Sequence, residues 1–200
     1  MVPFLLTMES FITVFDDALS SSECDSLIEW FEDNDQAHEP GRIGIVDENG
    51  QGTLTIDRET KHSTDLSVSF DTDDLPNKFL LPVLTDAIRY YIKQYPFMNE
   101  LYAFSLDELY NLQRYYPNEG YFKEHCENAT PDETRILAWT VYLNDVTDGG
   151  ETLFTLYKEK LSAKQGRLVI FPAYWTHAHK GIVSPTQTKY IATGWFSYDR

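Results

Sequence analysis

The sequence predicts an α+β fold in which two or three helices precede a β-rich half. Three observations carry this reading. Helical periodicity with capping signals is confined to the first hundred residues. From about residue 105, short runs rich in Val, Ile, Thr, Tyr and Trp alternate with turn signals. Helices that precede a series of antiparallel strands are expected to buttress one face of the sheet.

Taken in order, MVPFLLTMES holds a short apolar run with no basic residues before it and no small-residue cleavage signal. It reads as the start of the domain rather than a leader. TVFDDALSSSECDSLIEWFED reads as a short strand and then a helix. Ser20 and Glu23 have capping-box spacing, and Leu27, Ile28, Trp30 and Phe31 supply the apolar face. Residues 36–60 are rich in Gly, Asp, Glu and Asn and read as loop with room for one hairpin. NKFLLPVLTDAIRYYIKQY, residues 77–95, is a second helix, which tolerates Pro82 only near its first turn.

Beyond residue 105 the turn signals are Pro117-Asn118, Asn128 to Asp132, Asp148-Gly149-Gly150, Gly166, Pro172 and Ser184-Pro185. They separate about seven strand-like runs, at the spacing of a sandwich or barrel. Nothing marks a linker, so the expectation is one domain over 1–200, with support in 1–104 and the β core in 105–200.

Composition narrows the function classes. A formal charge of −16 works against binding a phosphate backbone, so no nucleic-acid partner is expected. No run approaches the ~18 apolar residues of a membrane helix, so no membrane partner is expected either. Cys24 and Cys126 are far apart and outside any CxxC pair, which suits a reducing, cytoplasmic setting.

The chemistry concentrates in the second half. In HCEN, His125 and Glu127 sit two positions apart, which on a strand puts both on one face and Cys126 on the other. A His-x-carboxylate pair and one distant histidine is a three-ligand set that leaves coordination positions open on Fe(II). The same pair also suits a solvated strand surface. The third ligand would be His177 or His179 of FPAYWTHAHKG, between which strand parity does not choose. In TKYIATGWFSY, Lys189, Ile191, Thr193 and Trp195 share a face. A lysine whose stem is enclosed there needs an anion.

Four ordered blocks, QRYYPNEGYFKEHCEN, TVYLNDVTDGGETLF, GRLVIFPAYWTHAHKG and TKYIATGWF, resemble the 2-oxoglutarate/Fe(II)-dependent dioxygenases, specifically their prolyl 4-hydroxylase-like branch. The resemblance spans about residues 105–198 and implies a double-stranded β-helix, a jelly roll with the metal at its open end. It makes His125, Glu127 and His179 the iron ligands, His179 being the histidine ten residues before the basic position. His177 then supports them. Lys189 would pair with the far carboxylate of 2-oxoglutarate, with Thr193, Tyr142 and Tyr115 beside the cosubstrate and Tyr116 as rival to Tyr115. Trp195 would pack near the site. The family pattern has aspartate where this chain has Glu127, whose extra methylene requires the carboxylate to fold back or the backbone to shift.

The implied reaction hydroxylates a prolyl residue of a peptide or protein while 2-oxoglutarate is decarboxylated to succinate and CO2. The reacting set is Fe(II), 2-oxoglutarate and O2, with ascorbate as an optional reductant. Residues 36–75 have the position and composition of a loop over the mouth of the barrel. A free amino acid or other small molecule is the alternative substrate. A non-catalytic jelly-roll binding protein, a cupin-like metalloenzyme using both His177 and His179, and a metal-free β-sandwich are the alternative classes.

Overall fold

The computed structural model describes residues 9–46, 52–129 and 133–199. The N-terminal apolar run 1–8, the tip of the expected hairpin and part of the Asn128–Asp132 turn signal lie outside them. The main sheet has eight strands. Across it run β1 (Thr13–Phe15), β13 (Leu168–Pro172), β10 (Arg135–Tyr142), β15 (Lys189–Tyr198), β8 (Leu109–Tyr115), β6 (Thr64–Ser69) and β2 (Glu39–Pro40), while β7 (Phe104–Leu106) pairs with the far end of β15. A second sheet orders β12 (Glu159–Leu161), β11 (Thr152–Phe154) and β14 (His179–Gly181). Two small ladders complete the set: the hairpin β3 (Ile43–Val46) with β4 (Gly52–Thr55), and β5 (Lys61–His62) with β9 (Gly120–Tyr121). Every pairing is antiparallel. The architecture is an α+β double-stranded β-helix.

The main sheet is covered on both faces, and strand periodicity divides its side chains between them. Leu66, Val68, Tyr110, Leu112, Leu137, Trp139, Val141, Leu168, Ile170, Ala192 and Phe196 face the helices. The alternate positions Tyr115, Ala138, Tyr142, Val169, Phe171 and Ile191 face the second sheet. The helices α1 (Ser21–Asp33) and α2 (Leu75–Gln94) pack on the first of these faces.

In α1 the expected capping box forms: the Ser20 hydroxyl accepts from the Glu23 N–H at 3.3 Å, and the Ser20 N–H donates to the Glu23 carboxylate at 2.8 Å. Cys24, Leu27 and Phe31 are its buried stripe, with Ile28 and Trp30 packed at the margin. In α2, Leu80, Leu84, Ala87 and Tyr91 bury at helical spacing, and full burial of each leucine contributes about 1.5–3 kcal/mol. Asn77 fastens α2 to the sheet, accepting from the buried Tyr110 hydroxyl at 2.8 Å and donating to the Ser69 carbonyl at 2.8 Å. Among the described residues no helix is long and apolar enough to cross a membrane.

Three findings differ from the sequence reading. Helix α2 begins at Leu75, so Pro82 lies in its interior rather than near its first turn. It is tolerated because Pro82 and Lys78 are both exposed, and the carbonyl that loses its helical donor is on the solvent side. Strand β6 falls within 36–75, whose composition predicts a loop, although Leu66 and Val68 alternate with polar residues in it. The boundary expected at 104/105 does not separate sheet from support, since β1, β2 and β6 precede it and hydrogen-bond into the main sheet.

Close packing at the centre of the sheet yields one prediction. A Cβ added to Gly194 in β15 would lie 2.6 Å from the Trp139 ring and 2.9 Å from the Tyr110 Cβ. Gly194→Ala should therefore cost about 1–3 kcal/mol. The expected result is a thermal midpoint lowered by several degrees, with the far-UV circular dichroism of the folded state unchanged.

Candidate active site

The cavity between the two sheets has a volume of about 500 Å³. Its walls include His125, Glu127, His179, Lys189, Tyr115, Tyr142, Thr193 and Trp195. The structure thus brings every expected site residue to one place.

The His125-Glu127 pair is not on a regular strand, as the sequence suggested. Residues 122–129 are irregular apart from a single bridge between His125 and His179. In it the His125 N–H donates to the His179 carbonyl at 3.0 Å and the His179 N–H donates back at 2.8 Å. The Glu127 and Asn128 N–H groups both donate to the Ala173 carbonyl, at 3.0 and 2.9 Å. These bonds place the two histidines opposite one another at the end of β14, with Glu127 beside them.

The side chains then converge. One ligand atom from each of His125, Glu127 and His179 lies within 4.8 Å of the others. His125 Nδ1 is 3.1 Å from the Lys123 carbonyl and His179 Nδ1 is 2.9 Å from the His177 carbonyl. A carbonyl only accepts, so each Nδ1 carries the proton and each Nε2 presents a lone pair. Both Nε2 atoms lie 3.5 Å from the same oxygen, Glu127 Oε1. The other oxygen, Oε2, accepts from the Trp195 indole N–H at 2.8 Å. The His125 ring stacks on Tyr121 with centroids 3.5 Å apart.

Electrostatics agree with this donor set. Burial works against the charge of Glu127, but His125, His179 and the Trp195 N–H outweigh it and hold the carboxyl well below its usual range. Burial, and then His125, lower His179 to about 4, so it is neutral at pH 7. The three donors thus converge on one point that a cation would occupy. Two imidazoles with Nε2 toward one point and one carboxylate suit a divalent transition metal with open positions. The site fits Fe(II).

His177 is elsewhere. The turn Trp175–His177 is a 3₁₀ helix, so 177 and 179 do not share a strand face. The His177 ring is buried, with Nε2 2.6 Å from the Ser10 carbonyl and Nδ1 2.9 Å from the Thr176 hydroxyl. Both ring nitrogens are engaged away from the cavity. Its backbone carbonyl is what orients His179.

On the facing wall, β15 presents Lys189, Ile191, Thr193 and Trp195 to the cavity, as strand parity required. Lys189 is 8% exposed, and among the described residues its Nζ donates only to the Gly150 carbonyl, at 3.3 Å, while lying 4.9 Å over the Tyr115 ring. Burial lowers its pKa to about 8, with Glu151 opposing the change. Gly150 has φ +78°, and a Cβ there would meet the Val146 side chain at 2.6 Å, so the turn that offers this carbonyl requires glycine. A buried ammonium with one carbonyl for a partner is suited to an anion.

The remaining polar groups are partly committed. The Tyr142 hydroxyl is 2.6 Å from the Thr152 hydroxyl, and Thr193 donates to the Trp139 carbonyl at 2.9 Å. The Tyr115 hydroxyl donates to Gln113 Oε1 at 2.7 Å. Tyr116 is outside the cavity, 46% exposed beneath the Arg114 guanidinium, which separates it from its neighbour. Sequence reasoning missed Lys61 and Asp65, a buried ion pair of 2.6 Å in the cavity wall, whose Asp65 also accepts from Gln113. The alternation of β6 was the signal available for them. It also missed the hydrogen bond that Trp195 makes with Glu127.

Residues 110–197 match the family model described as "2OG-Fe(II) oxygenase superfamily". No curated protein sequence matches the chain significantly. Solved structures resemble it over most of their length. A Pseudomonas putida prolyl-4-hydroxylase has a TM-score of 0.69 at 16% identity, covering 96% of this chain and 94% of that one. A Trichoplax adhaerens prolyl hydroxylase, solved with a peptide fragment of the hypoxia inducible factor oxygen degradation domain, has a TM-score of 0.70 at 15% identity, covering 94% and 84%. A viral collagen prolyl hydroxylase of Paramecium Bursaria Chlorella virus-1 has a TM-score of 0.64 at 18% identity, covering 95% and 97%. At these identities the likeness is one of fold. The family match adds that residues 110–197, the segment carrying the site, have the pattern of a 2OG-Fe(II) oxygenase domain, a family whose reaction uses Fe(II), 2-oxoglutarate and O2, on a fold like that of the prolyl 4-hydroxylases.

Proposed function

We propose that this chain hydroxylates a prolyl residue in a peptide or protein. His125, Glu127 and His179 hold Fe(II), and Lys189 anchors 2-oxoglutarate. The observation that carries the reading is the convergence of two imidazoles and one carboxylate in a cavity that also holds a buried lysine with no ion-pair partner among the described residues. The fold shared with prolyl hydroxylases, one of them solved with a peptide, supports the substrate class.

Iron bound there supplies the activation of O2, coupled to decarboxylation of 2-oxoglutarate and hydroxylation of the substrate. The chain's own residues bind, orient and exclude water. The Nδ1–H bonds to the Lys123 and His177 carbonyls keep both Nε2 atoms deprotonated toward the metal. Lys189 gives the distal carboxylate of 2-oxoglutarate a charge-assisted bond at a position withdrawn from water. Tyr115, Tyr142 and Thr193 offer it hydroxyl groups, and Phe154, Phe171 and Ile191 line the wall with apolar surface.

The test begins without oxygen. Fe(II) and then 2-oxoglutarate are added to metal-free protein, and the visible charge-transfer absorbance of a chelated 2-oxo acid is sought. Proline-containing peptides are then supplied with O2, and mass spectrometry should find one added oxygen per succinate formed. Succinate produced only with free amino acids would move the substrate class. Absence of both iron binding and absorbance would remove the reading.

Two further outcomes follow from the geometry. His179→Ala should abolish stoichiometric Fe(II) binding, while His177→Ala should change the dissociation constant less than about tenfold, because the carbonyl that orients His179 survives the substitution. Titration calorimetry under argon measures both. The second outcome concerns pH. Lys189 must be protonated to hold an anion, and burial brings its pKa down to about 8. Affinity for 2-oxoglutarate should therefore be flat below pH 8 and fall by up to about tenfold per pH unit above it. Lys189→Met should bind weakly and without that slope.

A further inference from the structure

Glu127 stands where the family pattern has a shorter carboxylate, and the structure contains a device that fits the longer one. Its main-chain N–H is fixed to the Ala173 carbonyl, so the side chain has to span the distance to the histidines by itself. One oxygen, Oε1, is equidistant from both Nε2 atoms at 3.5 Å. The other is held by the Trp195 N–H at 2.8 Å. That indole is itself fixed. The Arg135 guanidinium lies 3.7 Å from its ring centroid, and Arg135 Nη1 donates to the Glu127 carbonyl at 3.4 Å. Arg135 is placed in turn by Glu133 at 3.3 Å and Asp107 at 3.8 Å, and the Asp107 N–H donates to the Trp195 carbonyl at 3.0 Å. The ring closes on itself, from Glu127 through Trp195 and Arg135 back to the Glu127 backbone.

On the reading that these ligands hold iron, we propose that Trp195, clamped by Arg135, is a positioning residue that makes Glu127 a one-oxygen ligand by occupying Oε2. An aspartate on the same backbone would draw its carboxylate back by one C–C bond, about 1.5 Å. It would then lose either the indole or the approach to the histidines. Glutamate is thus the residue this site is built around, and Trp195 is what makes the extra methylene useful.

The test measures metal binding rather than turnover. Metal-free protein is titrated anaerobically with Fe(II), and with Co(II) for its visible ligand-field spectrum, in the wild type, Trp195→Phe, Glu127→Asp and the double variant. Trp195→Phe keeps an aromatic ring under Arg135 and removes the N–H. It should weaken both metals by roughly 10-fold or more and change the Co(II) spectrum at saturation. Glu127→Asp should also weaken binding, and the double variant should bind no worse than Glu127→Asp alone, since the indole has lost its partner. A purely structural tryptophan would give losses that multiply. The proposal is overturned if Trp195→Phe binds within about twofold of wild type, or if the two losses multiply. If Trp195→Phe does not fold, Glu127→Asp decides, and binding as tight as wild type overturns the proposal. Wild type that takes up no metal overturns the iron-site reading and the proposal together, whereas metal-binding wild type with an indifferent Trp195→Phe overturns only the proposal.

Discussion

The two-residue period of β8, β15, β10 and β13 is the constraint on which the rest of the molecule depends. Each strand lies in a sheet covered on both sides, so one set of alternate positions must satisfy the helices and the other must build a cavity. In β15 the sequence KYIATGWFSY meets both demands: Tyr190, Ala192 and Phe196 pack toward α1 and α2, while Lys189, Ile191, Thr193 and Trp195 line the cavity. A one-residue slip of this strand would turn the lysine toward α1, where Tyr190 packs, and the cavity wall against the helices. Gly194 shows how little room the helix side leaves, because the Trp139 ring fills the space of its missing side chain.

The site is also a problem in placing charge out of water. Glu127, Lys189 and the Lys61–Asp65 pair are all largely withdrawn from solvent, in a chain whose formal charge is −16. Each finds a different answer. Glu127 is held by two imidazoles and an indole N–H, Lys61 by an adjacent carboxylate, and Lys189 by one carbonyl and an aromatic face. The first two environments are complete in themselves or await only a cation. The third is short of negative charge, and it faces the same cavity as the ligand triad.

Much of this was legible in the sequence, and the limits have physical causes. The capping box of α1 is local chemistry and formed as read. The shared face of Lys189 and Thr193 follows from strand parity and held because β15 is a long regular strand. Parity served less well for His125 and Glu127, which converge through bonds to Ala173 and His179 from a segment with no regular ladder. It did not separate His177 from His179 because a 3₁₀ turn intervenes. Strand β6 was hidden by its polar alternate residues, which face the cavity rather than solvent alone. The role of Trp195 depends on an indole N–H meeting one oxygen 68 residues away, which no spacing rule encodes.

The incomplete environment of Lys189 reaches beyond the chemistry of the site. Its ammonium loses hydration on folding and regains little of it from Gly150 and Tyr115, a cost that the protein's own groups leave partly uncompensated. An anion bound beside it stabilises the folded chain and not the unfolded one, in proportion to the logarithm of its concentration. If the proposed anchoring by Lys189 is right, resistance to heat and to proteolysis should rise with the concentration of small carboxylic acid around the protein, before any turnover takes place.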